Sequence, residues 1–476
     1  MTHSSKTLGL VLTAALCLST SDALAQRRGK AKQKFVDGQA QVVDAFSESK
    51  DWIQHDLWVE TEFDSDGDGA LDRVHVDVTR PGQTDSEDLR VHVIYETSPY
   101  FSGTSGGGKS YFYDPSQELG ATSPERKSAP SIQHQSKRPL MSRSQIKTWV
   151  PRGFAVVHSA SPGTGLSQGC PTVGGANEAL APKAVIDWLN GRARGFVEVD
   201  GEEEVEAYWC TGKVGMTGTS YNGTLPLAAA TTGVDGLEAI IPIAPNTSYY
   251  HYYRSNGLIR HPGGWMGEDI DVLYDFINSG YPEMRETCNC DVRDDILIAR
   301  HDRESGDYNE FWAGRDYGNQ LKSLKAATFL AHGFNDWNVM PEHSTRIYAA
   351  LRRKGLPCMA FFHQGGHGAL IFPIFGPDIG GDGHRQPGIF GGQDIAHPLF
   401  VIGVGVRVDQ AHPDRRQAAL LQKPRHIGDA GLVQLADHAA GEIQAFVHFE
   451  HPVHRDNTVR LHPEIGIAVA FGHRLA

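Results

Sequence analysis

No stretch of this chain is apolar for long enough to cross a bilayer; the run from Leu8 to Leu18 falls well short of the ~20 residues a spanning helix needs. Basic charge is scarce: 44 Lys and Arg against 57 Asp and Glu leave a formal charge of −13. That argues against a nucleic-acid or anionic-membrane partner, since both need a basic face. Cysteine is sparse as well, with six in 476 residues. Cys288-Asn289-Cys290 lacks His or Cys partners at zinc spacing, so no metal site is expected there and no cofactor is called for. From Ala369 to Ala476 there is no Ser, Tyr, Trp, Cys or Met, an odd gap for any folded domain.

What is present begins with a leader. Lys6, the apolar run and Ala23-Leu24-Ala25 have the order of a signal peptide, which predicts cleavage before Gln26 and a soluble secreted or periplasmic product. Removal of residues 1–25 takes Cys17 away and leaves five thiols, an odd number for an oxidising compartment. Cys170 with Cys210 is the preferred disulfide, because both lie in loops feeding one sheet edge. Residues 26–41 are basic and polar and read as a flexible lead-in. The whole chain is 40% hydrophobic and 21% charged, enough to fill a large core.

Apolar runs then alternate with helical spacing. Leu57–Phe63 and Val74–Val78 alternate as half-buried strands around Asp64-Ser65-Asp66-Gly67-Asp68-Gly69-Ala70-Leu71-Asp72, so the pair reads as a hairpin. The carboxylates of Asp64, Asp66, Asp68 and Asp72 also resemble the start of a calcium loop, but His75 stands where an EF-hand wants Glu. A hairpin turn is favoured over a calcium site. Runs at Val91–Tyr95, Gly153–Val157, Lys213–Thr217, Ala239–Ile243, Ala327–Leu330 and Met359–Phe362, with helical Ala184–Leu189 among them, imply a parallel sheet covered on both faces. Residues 246–324 interrupt the alternation and read as a helical cap.

Function enters at Gly218-Thr219-Ser220-Tyr221-Asn222-Gly223. A serine among small residues, where a strand turns into a helix, is the layout of a nucleophile elbow, although Asn222 stands where G-x-S-x-G has its last glycine. Asp336 follows the strand ending at Leu330, and His367 the strand ending at Phe362. The order Ser, Asp, His is that of α/β-hydrolases, whose active residues gather at the carboxyl ends of the strands. The chemistry needs all three: His367 would take the Ser220 proton and return it to the leaving group, while Asp336 fixes the imidazole tautomer. His363 is the rival base, nearer its strand. The Tyr221 amide and the Tyr100 phenol, in the loop after an early strand, are the expected oxyanion donors.

With these residues in place, Leu57 to about Gly368 resembles the secreted Xaa-Pro dipeptidyl-peptidases, serine hydrolases related to cocaine esterase and the α-amino-acid ester hydrolases. The matching segments are the Asp-Gly-Asp-Gly hairpin, Ser98-Pro99-Tyr100, Gly163–Ser167, Val185–Arg192, the elbow through Pro226, Tyr249–Gly257 and Asn335–Val339. The resemblance implies an α/β-hydrolase fold over 42–398 and Ser220, Asp336 and His367 as triad. It implies Tyr100 and Tyr221 as the oxyanion hole, and release of a dipeptide from a peptide with a free N-terminus and proline second. An anionic or carbonyl-lined subsite for the amine and an apolar slot for proline are required, and Tyr249, Tyr250, Tyr252 and Tyr253 are the expected wall. Ala160-Ser161-Pro162 departs from the Asp-x-Arg that commonly precedes Gly163 in relatives.

The end of the chain departs further. Relatives carry a β-sandwich after the catalytic histidine, whereas here the composition breaks at Ala369 and histidine recurs ten times by His473. The expectation is a shifted reading frame near Gly368, leaving 399–476 as an atypical tail; a His-rich metal-binding tail is the rival. An esterase or acylase on the same triad is the alternative activity. An inactive truncated chain or a calcium-stabilised binding module is the alternative of another class.

Overall fold

The computed structural model describes residues 30–367, except 37, 107–110, 117, 119 and 123–129, together with the strands Val404–Val406 and Ala445–Val447. The leader, most of the tail and the composition break at Ala369 lie outside the described residues.

Nine strands form one sheet: β1 (Ile53–Glu60), β2 (Arg73–Arg80), β3 (Val91–Ser98), β4 (Ala155–Ala160), β5 (Gly195–Phe196), β6 (Cys210–Thr219), β7 (Leu237–Ile243), β8 (Ala327–Gly333) and β9 (Cys358–His363). Their spatial order is β9-β8-β7-β6-β3-β4-β2-β1-β5. The six adjacent strands β9-β8-β7-β6-β3-β4 are all paired in parallel, while β2 runs antiparallel to both β1 and β4, and β5 antiparallel to β1. The continuous apolar runs of β3 and β4 follow from burial on both faces, and β4 is buried along its whole length. This is an α/β-hydrolase sheet, and the expected strands fall where the apolar runs placed them.

Helices α1 (Ala176–Leu189) and α2 (Tyr221–Thr231) pack against the sheet and each other. Every residue of α2 is buried, and the run Ala228–Ala230 lets it lie close. The segment expected as a cap consists of short pieces: α3 (Tyr249–Tyr253), a hairpin pairing Arg254–Ser255 with Leu258–Ile259, α4 (Ile270–Ile277) and a helical run over 282–298. A fifth main helix, α5 (Glu342–Arg353), lies between β8 and β9. No helix among the described residues is long and apolar enough to cross a membrane.

One expectation is overturned. Cys170 pairs with Cys288, 118 residues away, and Cys210 is a buried free thiol at the start of β6. Linear order could not show that the cap folds back onto the loop after β4. Cys288 and Cys290 are not bridged to each other; Cys290 and Cys358 are free.

The hairpin reading holds, with Ile53 to Glu60 paired against Arg80 to Arg73. In its turn Asp64 accepts the amides of Gly67 and Gly69 at 2.7 and 2.9 Å, and both glycines have positive φ. Oxygens of Asp64, Asp66 and Asp72 lie within 4.8 Å of one another, whereas Asp68 turns to the Ala70 amide. Burial raises the Asp72 carboxyl to about 7 against the opposing hydrogen bonds from Ser65. His75 belongs to β2, stacked on Trp58 at 4.5 Å and bonded to Asp56 at 2.9 Å.

Candidate active site

The site is assembled where parallel strands end. Register aligns Thr219 with Ile243, Ile243 with Ala331 and Gly333 with His363, so the chains leaving β6, β8 and β9 emerge at one edge.

Ser220 follows β6 directly and has φ 66° and ψ −126°, a backbone a side-chain-bearing residue adopts only when its surroundings impose it. They do so here. Its amide donates to the Ile243 carbonyl at 2.9 Å, and its carbonyl accepts from Gly223 and Thr224 at 2.9 Å each. A methyl group on Gly218 would strike the Asn222 carbonyl, and one on Gly223 the Ile243 carbonyl. The glycine one place late therefore still performs the elbow's steric task. Asn222 donates to buried Glu96 at 2.9 Å, pinning the first turn of α2 to β3. Burial lifts that carboxyl to about 7.

Asp336 lies in the turn after β8 and is buried. Its Oδ1 accepts the amides of Asn338 and Val339 at 3.0 Å each, and its Oδ2 stands 2.7 Å from Nδ1 of His367. Burial acts to raise this carboxyl, but the neighbouring imidazoles of His332 and His367 outweigh it and hold it down at about 2. The carboxylate is thus ionised where a histidine needs it. His367 comes from a loop laced to the Asp336 turn: Phe334 donates to the His363 carbonyl at 2.6 Å and Asn335 to that of Gly365 at 3.1 Å. A side chain on Gly333 would collide with that Gly365 carbonyl. With Nδ1 engaged, the free nitrogen of the imidazole is Nε2. His363, the rival base, turns its Nδ1 to the Gly365 amide at 3.0 Å.

Tyr221 opens α2, so its N–H has no carbonyl one turn earlier to bond. Its phenol donates to buried Glu178 at 2.7 and 2.8 Å. Tyr100, half-buried after β3, meets the Tyr221 ring edge-on at 5.7 Å and approaches Phe276 at 5.9 Å. Burial, with Glu268 and Glu178 nearby, drives its hydroxyl far above the usual phenol range, so it stays protonated and able to donate.

The expected tyrosine wall is mostly interior. Tyr249 and Tyr253 are wholly buried and offer no ring surface to a ligand; Tyr249 fills the space beside Gly174. Tyr250 bonds the Gly306 carbonyl and lines a cavity of about 700 Å³ with His251, Arg260 and Tyr308. Tyr252 alone of the four bonds into the Asp336 turn, through Asn338 Oδ1 at 2.5 Å.

Glu268 went unnoticed in the sequence. It is buried, accepts from the Tyr253 phenol at 2.7 Å, and burial raises it to about 8. The adjacent Asp269 takes up both nearby guanidinium groups, those of Arg254 and Arg303. No ion pair to Glu268 is found among the described residues. A lone Glu before a helix N-cap gives no signal of this kind, since its meaning depends on packing across the cap.

A strained serine, a histidine on an ionised buried aspartate and two donor positions, set at the strand ends of this sheet, define an α/β-hydrolase. The chain belongs to the X-Pro dipeptidyl-peptidase (S15) family, whose model matches residues 66–369. It is 65% identical over 333 residues to a provisionally named Xaa-Pro dipeptidyl-peptidase of Rhodopirellula baltica, covering 70% of this chain and 53% of that one. It is 35% identical over 339 residues to the Xaa-Pro dipeptidyl-peptidase of Lacticaseibacillus rhamnosus, covering 66% and 42%. The chain therefore spans about half the length of these relatives. Among solved structures, an α-amino acid ester hydrolase superposes with a TM-score of 0.42 at 15% identity, over 70% of this chain and 51% of that one.

Proposed function

We propose that this chain is a serine exopeptidase that releases Xaa-Pro dipeptides from peptide N-termini through an acyl-enzyme. The observation that carries the reading is the elbow at Ser220, with φ 66°, in the same structure as the 2.7 Å pair of His367 and Asp336, each following a strand of one parallel sheet. In this reading His367 Nε2 takes the Ser220 proton as Oγ attacks the proline carbonyl, and the Tyr221 amide and Tyr100 phenol receive the oxyanion. Protonated His367 then gives its proton to the departing amine. Water repeats the sequence to free the dipeptide.

Glu268 supplies what an enzyme of free N-termini requires. A buried carboxylate without a cation is costly, and an α-ammonium group would neutralise it. Its charge acts on the hydroxyls of both Tyr100 and Tyr252, raising them further. Family membership at 65% identity supports the proline preference. The leader at residues 1–25 and the Cys170–Cys288 bridge support export to an oxidising compartment.

The test compares Ala-Pro-anilide, its N-acetyl form and a simple acyl ester. Turnover of the first alone is expected and should vanish in Ser220→Ala. Equal turnover of the ester would favour the esterase reading instead.

A further inference from the structure

Asp336 has a second imidazole beside it, one that the triad does not use. His332, near the end of β8, is wholly buried. Its Nε2 lies 2.9 Å from the Val339 carbonyl oxygen and 3.2 Å from Asp336 Oδ2, and its Nδ1 lies 2.7 Å from Ser344 Oγ in α5. A carbonyl oxygen can only accept, so Nε2 carries the hydrogen, and in the neutral ring Nδ1 accepts the Ser344 hydroxyl. One N–H thus faces a carbonyl directly and the carboxylate from slightly farther away.

This placement spans the whole Asp336 turn. The ring belongs to the strand that enters the turn and holds the carbonyl of Val339, where the turn closes. It stands against the one side chain in between that works on His367. Val339 in turn donates its amide to Asp336 Oδ1 at 3.0 Å. The other imidazoles near His332 are His343 and His363, and burial pushes both below the usual histidine range, toward the neutral form.

We propose that His332 is a positioning residue for the triad, its Nε2–H holding the Asp336 carboxylate in the orientation that directs His367. The inference rests on the reading of Ser220, Asp336 and His367 as the catalytic set. Its effect on proton transfer follows from charge. With the N–H removed, the negative charge on Asp336 is less dispersed and binds the His367 proton more tightly, so the acid limb of activity moves to higher pH.

The experiment starts with wild-type protein and a fluorophosphonate, then measures kcat, KM and the pH profile of kcat/KM for His332→Phe and His332→Gln. In His332→Phe we expect kcat about tenfold lower, KM within about twofold, and the acid limb raised by about half a pH unit. His332→Gln, whose amide restores a donor, should recover most of the loss. A folded His332→Phe protein with the wild-type acid limb overturns the proposal. Should that variant fail to fold, Ser344→Ala keeps the ring but loosens its tautomer, and should shift the limb the same way by less. An unmoved limb there overturns it equally. Failure of wild-type Ser220 to label would instead remove the catalytic reading itself, before any substitution is made.

Discussion

At the scale of single residues, the central contrast is between two buried carboxylates. Asp336 is pulled down to about 2 by the imidazoles that surround it, whereas burial, with the Asp269 and Asp271 carboxylates nearby, pushes Glu268 up to about 8. The first holds a histidine; in the proposed function the second receives an ammonium group. Glu268→Gln should lower kcat/KM for a free-amine Xaa-Pro substrate about 100-fold, the scale of a charge-assisted contact, while leaving a simple acyl ester untouched. Tyr100→Phe should act differently, lowering kcat 100-fold or more with little change in KM, because an oxyanion donor acts only once charge develops. Comparing the two variants in steady-state kinetics checks both assignments. Ser220, Asp336 and His367 could be picked out in the sequence as a candidate triad because each follows an apolar run that had to be a strand. Glu268 was not, since nothing in Gly267-Glu268-Asp269 reveals that both nearby arginines go to Asp269.

At the scale of elements, steric and acid–base demands meet in two turns. The elbow tolerates no side chain at Gly218, so Gly218→Ala should cost more than about 2 kcal/mol of stability or abolish soluble protein, read from denaturant unfolding. In the acidic hairpin, Asp72 has a folded-state value near 7 against 3.8 in its unperturbed state. The fold therefore binds that proton more tightly than the unfolded chain, and stability falls as pH rises between about 4 and 7. Asp72→Asn removes the penalty and can still accept from Ser65. Its Tm should exceed the wild type's at pH 8 and converge with it near pH 4. Asp336 has the opposite sign, and its contribution is lost only as pH falls from about 4 toward 2. The hairpin was readable from alternation on either side of an Asp-Gly turn; the burial of Asp72 under the loop around Gly169 was not.

At the scale of the molecule, the Cys170–Cys288 bridge ties the cap to the loop after β4, while Arg254 and Arg303 on Asp269 hold pieces of the cap to one another. A closure over 118 residues restrains the unfolded chain strongly, by about 4–5 kcal/mol in the chain-entropy account. Cys288→Ser should accordingly lower Tm by several degrees, and reductant should lower the wild-type Tm toward it. The positions of the strands followed from the apolar runs, because a sheet buried on both faces demands continuous apolar segments. The disulfide partner did not follow, because it depends on where a long insertion lands.

The central claim is that Ser220 is made nucleophilic by His367 on Asp336. Treating the purified chain with a fluorophosphonate and mapping the adduct by mass spectrometry tests it most directly. The account predicts one adduct, on Ser220, lost in Ser220→Ala and slowed at least 1,000-fold in His367→Ala, in keeping with other Ser-His-Asp sets. Labelling spread over other residues, or undiminished without His367, would contradict it.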